Sequence, residues 1–196
     1  GQALKAKFGD FFVGKEEQVW LADVRQFSIV AMMKLIKTDL SALGIKMDIY
    51  FSEKSLYGTS RIEEAITNLR DKGLIYEGTL EAPKGKSDID WEPRKQTLFK
   101  STKYGDDVDR PIQKSDGNWT YFAPDVAYHF DKVARGYNHL IDVFGADHSG
   151  YVKRMKAAVT ALSSGQTSLD IKLIQLVRLF KNCLLYTSPS PRDVEE

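Results

Sequence analysis

The sequence has little of several features that mark particular classes of protein. Its 196 residues include one cysteine, Cys183, which excludes an internal disulfide and a cysteine-rich zinc cluster. Three scattered histidines add no metal-ligand spacing. No stretch approaches the roughly 18 apolar residues of a membrane span, and the first residues lack the apolar block of a signal peptide. We therefore expect a soluble protein of the cytoplasm, without a membrane partner or a dedicated metal site.

An excess of charge of one sign is also absent, because 28 Lys and Arg residues balance 27 Asp and Glu residues. No overall field draws such a chain onto nucleic acid, so any contact with RNA would be local. Lys153, Arg154 and Lys156 are candidates for that contact, although three basic residues on one helix more often form a solvated face. The hydrophobic share of 42% is enough for a sizeable core.

The first quarter of the chain is dominated by a helical pattern. Apolar residues recur at helical spacing from Glu16 to Leu43, and Gly44 is placed to end the helix. This predicts one long helix or two joined helices. Apolar and polar residues then alternate from Ile45 to Phe51, which predicts a half-buried strand.

A second helix and a group of short strands are predicted next. Ser60 to Glu63 has the pattern of a capping box, and Gly73 is a stop signal after one apolar face. A β-rich insertion follows, with Asp116-Gly117 as a turn. Its predicted strands cover residues 74–76, 97–99, 108–112 and 119–122, within an insertion of about 74–122.

The remaining pattern is that of an α/β unit. Pro124 suits the first turn of a helix that runs to about Arg135. The apolar run from Leu140 breaks at Gly145 and is followed at once by a helix, the arrangement with which many α/β nucleotide sites begin. It predicts a buried strand with a ligand site at its carboxyl end. Residues 169–177 are a candidate for a further buried strand.

An ordered series of motifs resembles the catalytic domain of bacterial-type arginyl-tRNA synthetases, which are class I synthetases. The resemblance covers about residues 10–182 in order. Its motifs are Ser52–Tyr57, Asp71–Gly78, Gln96–Phe99, Gly105–Pro111, Ser115–Gly117, Thr120–Ala123 and Gly145–His148. It implies an α/β fold: a partial Rossmann-type catalytic domain over residues 1–182 that carries the β-rich insertion.

Two signatures of that family do not occur in this sequence. An HIGH-type motif precedes the matching region in the family and a KMSKS-type loop follows it, and by resemblance these hold most of the catalytic donors. No residue here is therefore assigned a catalytic role. Residues 183–196, rich in Ser and Pro, have no helical or strand period and resemble the read-through of a cloning adapter or a frameshift. We expect an internal part of the enzyme with a foreign, loose tail, inactive alone.

The resemblance implies the function of an arginine–tRNA ligase. Such an enzyme uses ATP as a substrate, with Mg²⁺ accompanying it, to convert arginine to arginyl-adenylate, and then transfers the arginyl group to tRNA(Arg). No tightly bound cofactor is implied. The alternative is a non-catalytic nucleotide- or RNA-binding module of the same fold.

Tyr121 and Asp125 match the positions where the family binds the arginine side chain. A guanidinium ion is planar, permanently charged and rich in donors, so its site needs a carboxylate and further acceptors. Each residue also has a structural alternative. An acid in the first turn after Pro124 is favoured by the helix dipole alone, and Tyr121 would serve equally as a core aromatic.

Gly145, Asp147 and His148 match the family's segment beside ATP. Gly145 would allow close approach of the backbone to the adenosine, and Asp147 would accept hydrogen bonds from the ribose hydroxyls. His148 would complete either the nucleotide or the arginine side of the pocket. The alternatives are an N-cap role for Asp147 and a surface position for His148.

Overall fold

The structure is a computed structural model that describes residues 1–80 and 94–175, and the backbone alone of residues 180–181 and 184–185. The chain forms two units, Gly1–Phe51 and Ser52–Glu196, each of which is described by itself. The first contains helices α1 (Gln2–Phe8) and α2 (Glu17–Ala42). The second contains, in chain order, α3 (Arg61–Asp71), β1 (Ile75–Gly78), β2 (Gln96–Phe99), β3 (Arg110–Gln113), α4 (Phe122–Ala134), β4 (His139–Gly145), α5 (Val152–Leu162), β5 (Ser168–Ile174), β6 (Phe180–Lys181) and β7 (Leu184–Leu185).

The long helical pattern of the first unit folds as one continuous helix, α2. Gly44 ends it with a positive φ of 76°, and the amide of Ile45 donates to the carbonyl of Leu40. The predicted apolar face does not become a core, since α2 has no buried residue and Val30 is 58% exposed. The reason is that its apolar residues lie on all sides of the helix and not along one stripe.

The strand predicted from Ile45 to Phe51 is wrong. These residues run in a loop that makes no strand pairing, and Met47 and Ile49 are half exposed. Period-two alternation marks a strand only where a neighbouring strand accepts its backbone hydrogen bonds. In the described part of the first unit no strand is present to do so.

Helix α3 follows the sequence pattern closely. Its buried residues are Ile62, Ala65, Ile66 and Leu69, and Gly73 follows its end with a φ of 67°. The predicted capping box does not form, because the Ser60 hydroxyl bonds the Glu64 carboxylate instead of a backbone amide.

Strands β1, β2 and β3 form an antiparallel sheet in that order. Tyr76 pairs with Leu98, and Thr97 pairs with Gln113. The turn at Asp116-Gly117 is confirmed, with the amide of Gly117 donating to Lys114. The fourth predicted strand, at 119–122, is wrong: Trp119 forms only an isolated bridge, and Phe122 begins α4.

Strands β4 and β5 are parallel neighbours joined through α5, as a strand–helix–strand unit requires. Their register runs from His139 opposite Ser168 to Gly145 opposite Ile174. The expectation of buried strands is wrong for much of both. In β4 the buried residues are Leu140 and Asp142, while Ile141 and Val143 are 58% and 67% exposed.

In β5 only Leu169 is buried, and the predicted end of this strand, at 176–177, lies outside the described residues. The predicted loose tail, residues 183–196, also lies outside them, except for the backbone of β7, which pairs with β6. Among the described helices, none is long and apolar enough to cross a membrane.

Candidate functional site

The first turn of α4 carries both residues predicted to bind arginine. Tyr121 is the residue that precedes the helix and is 91% exposed, so it is not the core aromatic of the structural alternative. Asp125 lies one turn later and is half buried. The helix dipole favours an acid at this position as well, and that contribution is compatible with ligand binding.

Asp125 accepts a hydrogen bond at Oδ2 from the hydroxyl of Tyr151, at 2.9 Å. Burial raises the pKa of Asp125, and the hydrogen bond from Tyr151 opposes that rise without cancelling it. The carboxylate is thus partly removed from water and held by one donor. Such a group has free energy to gain from a cationic partner that supplies further donors.

Tyr151 is a residue that sequence reasoning missed. Its ring packs edge-on against Phe122, with centroids 6.3 Å apart, and against His148, also at 6.3 Å. Burial, followed by the charge and hydrogen bond of Asp125, raises the pKa of its hydroxyl, which keeps that hydroxyl a donor. A tyrosine in a turn has no periodic signal. Its one clue is its place directly before α5, at the end of the matched glycine-rich segment.

The turn that follows β4 carries the three residues predicted to bind ATP. Gly145 ends the strand, and residues Ala146–Tyr151 form a 3₁₀ helix that leads into α5. Asp147 and His148 have side chains that are 81% and 59% exposed, with Oδ2 and Nε2 3.6 Å apart. Asp147 is not an N-cap, because Tyr151 precedes α5 and no side-chain cap bond forms there. The surface position suggested for His148 agrees with its exposure.

An open depression of about 540 Å³ lies at the carboxyl ends of β4 and β5. Gly145 and Asp147 line it, and Ile174 and Gln175 line it from the neighbouring strand. In open α/β sheets this is the side on which ligands bind. The structure therefore brings Gly145 and Asp147 to one concave surface. His148 packs against the ring of Tyr151, and the hydroxyl of Tyr151 bonds Asp125.

A buried polar network joins α4 to β4 behind the first turn. Nε2 of His129 lies 2.7 Å from Oδ2 of Asp142, and Lys132 donates to Oδ1 of the same carboxylate at 2.8 Å. Nδ1 of His129 lies 2.7 Å from the carbonyl oxygen of Asp125. Burial alone would raise the pKa of Asp142, but the bonds from His129 and Lys132 lower it to about 2. This network fixes the helix that carries Asp125 against the strand that ends at Gly145.

The candidate RNA contacts on α5 are already engaged in part. Lys153 pairs with Asp107 at 2.7 Å, and the Arg154 guanidinium lies 4.6 Å from the ring centroid of Tyr151. Lys156 is exposed. Among the described residues, no group of three His, Cys, Asp or Glu side chains is placed to hold a metal ion.

Comparison with known proteins gives a consistent result. Over 182 residues, 93% of this chain, the sequence is 71% identical to an arginine–tRNA ligase of Ruegeria pomeroyi and 69% identical to one of Roseobacter denitrificans. The chain spans 31% of the length of these relatives. No protein-family model matches it.

The fold of this chain also resembles that of a solved structure. A candidate arginyl-tRNA synthetase from Campylobacter jejuni superposes with a TM-score of 0.74 at 34% identity, over 97% of this chain and 38% of that one. The mixed α/β fold and the resemblance drawn from the ordered motifs are thereby confirmed.

Proposed function

We propose that this chain supplies the arginine-recognition part of an arginine–tRNA ligase, built on a partial Rossmann-type domain of the class I synthetases. Its similarity to such ligases over 182 residues supports this assignment. The parent reaction is the attack of the arginine carboxylate on the α-phosphate of ATP, which gives arginyl-adenylate and pyrophosphate. Transfer of the arginyl group to the terminal ribose of tRNA(Arg) follows. A ligase of this kind works in the cytoplasm.

No residue of this chain is given a catalytic role in the proposal. Positioning of the two substrates and fixed donors around the α-phosphate supply the rate acceleration in such a transfer. Neither the HIGH-type nor the KMSKS-type motif occurs among the 196 residues. We therefore expect the chain alone to bind substrates without forming adenylate.

The single observation that carries the proposal is the environment of Asp125. A half-buried carboxylate with one oxygen held by Tyr151 presents its other oxygen to a planar, cationic donor group. Tyr121, the exposed residue that precedes α4, adds a hydroxyl that can accept from the same guanidinium. A charge-assisted hydrogen bond contributes about 1.5–3 kcal/mol, so removal of Asp125 should weaken arginine binding at least about tenfold.

ATP is proposed to occupy the depression at the ends of β4 and β5. Its volume of about 540 Å³ is within the range of about 300–1,000 Å³ typical of small-molecule sites. There Gly145 allows close approach, Asp147 accepts from the ribose hydroxyls, and His148 reaches the nucleotide or the arginine side. Mg²⁺ arrives with the triphosphate as part of the substrate.

The test is calorimetric titration of arginine into the full 196-residue chain, after circular dichroism has established that it is folded. Lysine is the ligand control, because it carries the charge without the planar fork. Asp125→Ala is compared with Asp131→Ala, a matched change further along α4 at an acid that pairs with Arg135 on the surface. We expect selective arginine binding that is lost in Asp125→Ala and kept in Asp131→Ala.

Equal binding of lysine and arginine, or unchanged binding in Asp125→Ala, would contradict the proposed subsite. Binding of ATP or RNA by a chain that ignores arginine would favour the non-catalytic module instead. If the isolated chain binds none of these ligands, a chimeric ligase provides a second test. In it, the matching segment of the Ruegeria pomeroyi ligase is replaced by this chain's residues, and the KM for arginine is measured in tRNA arginylation.

A further inference from the structure

We propose that Tyr151 is a positioning residue that joins the arginine and nucleotide sides of the site. Its hydroxyl orients the Asp125 carboxylate, and its ring holds the turn that carries His148. This inference rests on the proposed function, because it concerns how that carboxylate is presented to arginine.

The hydroxyl contact fixes which oxygen of Asp125 faces the ligand. Tyr151 donates to Oδ2 at 2.9 Å. In the part of the chain that the structure describes, no other side chain hydrogen-bonds this carboxylate, so Oδ1 is left for a substrate. Without the hydroxyl the carboxylate rotates about its terminal torsion, which is broad for aspartate, and the orientation must be restored on binding.

The ring contacts explain why the hydroxyl is held in place. The Tyr151 ring lies edge-on to Phe122, at 83°, and edge-on to His148, at 88°. Phe122 is buried in the first turn of α4, while His148 belongs to the turn that follows β4. Edge-to-face contacts at these centroid distances are favourable. One side chain thus contacts both the helix that carries Asp125 and the turn assigned to ATP.

The charges around Asp125 make the hydroxyl contribution measurable as a pH effect. Burial raises the pKa of Asp125, and of the neighbours that lower it, Tyr151 has the largest effect. The groups that face Asp125 are Tyr151, His129 on α4, Glu53 and Tyr57 from the segment before α3, and Asp142 on β4. Removal of the hydroxyl raises the pKa of the carboxyl further. Because arginine needs the ionised form, its binding should then fail at a higher pH than in the unaltered chain.

The experiment measures arginine and ATP binding to the full chain across a pH series, for Tyr151→Phe and Tyr151→Leu. Tyr137→Phe is the matched control, since its ring is 54% exposed and its hydroxyl makes no hydrogen bond within the described residues. For Tyr151→Phe we expect arginine binding about five- to tenfold weaker at neutral pH, a midpoint of the acid limb moved upward, and unchanged ATP binding. Tyr151→Leu should weaken both ligands, because the ring contacts are lost as well.

Two results would overturn the inference. One is a Tyr151→Phe chain with the arginine affinity and pH midpoint of the unaltered chain. The other is a Tyr151→Phe loss that is equal at all pH values and extends to ATP, which would indicate general destabilisation. Asp125→Ala, run in parallel, separates the two proposals. If Asp125→Ala has no effect, the arginine subsite itself is wrong; if it abolishes binding while Tyr151→Phe has no effect, only the positioning role is wrong.

The ligase chimera gives the same comparison for a chain that does not bind alone. There, a positioning role predicts a raised KM for arginine in Tyr151→Phe, with an upward shift of its acid limb and little change in kcat. A lowered kcat with an unchanged KM would contradict the role.

Discussion

Asp125 and Asp147 are assigned to two halves of one candidate site, yet the protein holds them in opposite ways. Asp125 lies half buried on α4 and is bonded to Tyr151. Asp147 lies on a 3₁₀ turn with its side chain 81% exposed, and its Oδ2 is 3.6 Å from Nε2 of His148. The bond from Tyr151 orients the first carboxylate before a ligand arrives, whereas no hydrogen bond within the described residues orients the second.

This difference has an energetic meaning. A preoriented group retains most of its interaction free energy as affinity and selectivity, while a mobile group loses part of it to ordering. The arginine side should therefore discriminate sharply between cations, and the nucleotide side should contribute through several weaker contacts. Removal of the groups that hold α4, followed by changes in the turn that carries Asp147, tests that contrast.

The largest expected effect is on stability, from Asp142→Ala. This change leaves Lys132 and His129 beside an empty buried position, and removal of one partner from a buried ion pair costs about 3–5 kcal/mol. Chemical denaturation measures the loss. Asp170→Ala is the control, because its carboxylate is half exposed and 3.5 Å from His139, and it should cost less than about 1 kcal/mol. Similar losses in the two variants would mean that the network does not hold α4 against β4.

The second prediction is a pH dependence with the same origin. The pKa of Asp142 is lowered from 3.8 to about 2 in the folded chain, so its stabilising contribution is present above the unfolded value. It is lost as the pH falls from about 4 through about 2, and amounts to about 2 kcal/mol. Denaturation midpoints in acid measure it. In Asp142→Asn this part of the acid dependence should vanish, and its persistence would assign the effect to other carboxylates.

A smaller effect is expected at Asp147, on the exposed nucleotide side of the candidate site. Asp147→Ala should weaken ATP binding by about three- to tenfold, since it removes an acceptor for the ribose hydroxyls. Stability should stay within about 0.5 kcal/mol, because the side chain is almost fully exposed. Titration of ATP and thermal melts give both values. An Asp147→Ala chain that melts much earlier would show that the turn is held as firmly as α4, which would remove the contrast.

The smallest effect is expected from Gly145→Ala. The backbone there has a φ of −63°, which any residue adopts, but an added Cβ would meet the Asp147 carboxylate. The side chain of Asp147 is free to rotate away, so the change should cost under about 0.5 kcal/mol of stability and about threefold or less in ATP affinity. In an Asp147→Ala background the Gly145→Ala change should have no further effect on stability. A large loss of stability there would contradict this account, because the clash of the added Cβ would then not be with the Asp147 carboxylate.

Much of the fold follows from local pattern. The extents of α2, α3 and α4, and the strand–helix–strand order around Gly145, are confirmed because periodicity and glycine stops act within one element. Burial is less predictable. Ile141 and Val143 are as apolar as Leu140, yet the structure buries Leu140 and the charged Asp142. Only the packing of α4 against β4, which supplies Lys132 and His129, makes that position suitable for a carboxylate.

The candidate site divides in the same way. Motifs adjacent in sequence, such as Gly145–His148, are visible from the sequence because the turn itself brings them together. The bond from Tyr151 to Asp125 joins residues 26 positions apart, so no local sequence pattern predicts it. The loop at Ile45–Phe51 shows the converse, since its alternation is clear but its pairing partner is a matter of tertiary structure.

The hydrogen bonds of Asp142 join residues that are close in sequence, and this affects the order in which the chain folds. Its bonds close loops of 10 and 13 residues, from Lys132 and from His129. By contrast, Lys72 reaches the end of α5 across 89 and 90 residues. Short loops cost less entropy to close, so we expect the α4–β4 pair to form in the folding transition state and the Lys72 contact to form later. In kinetic terms, Asp142→Asn should slow folding, whereas Lys72→Met should mainly speed unfolding.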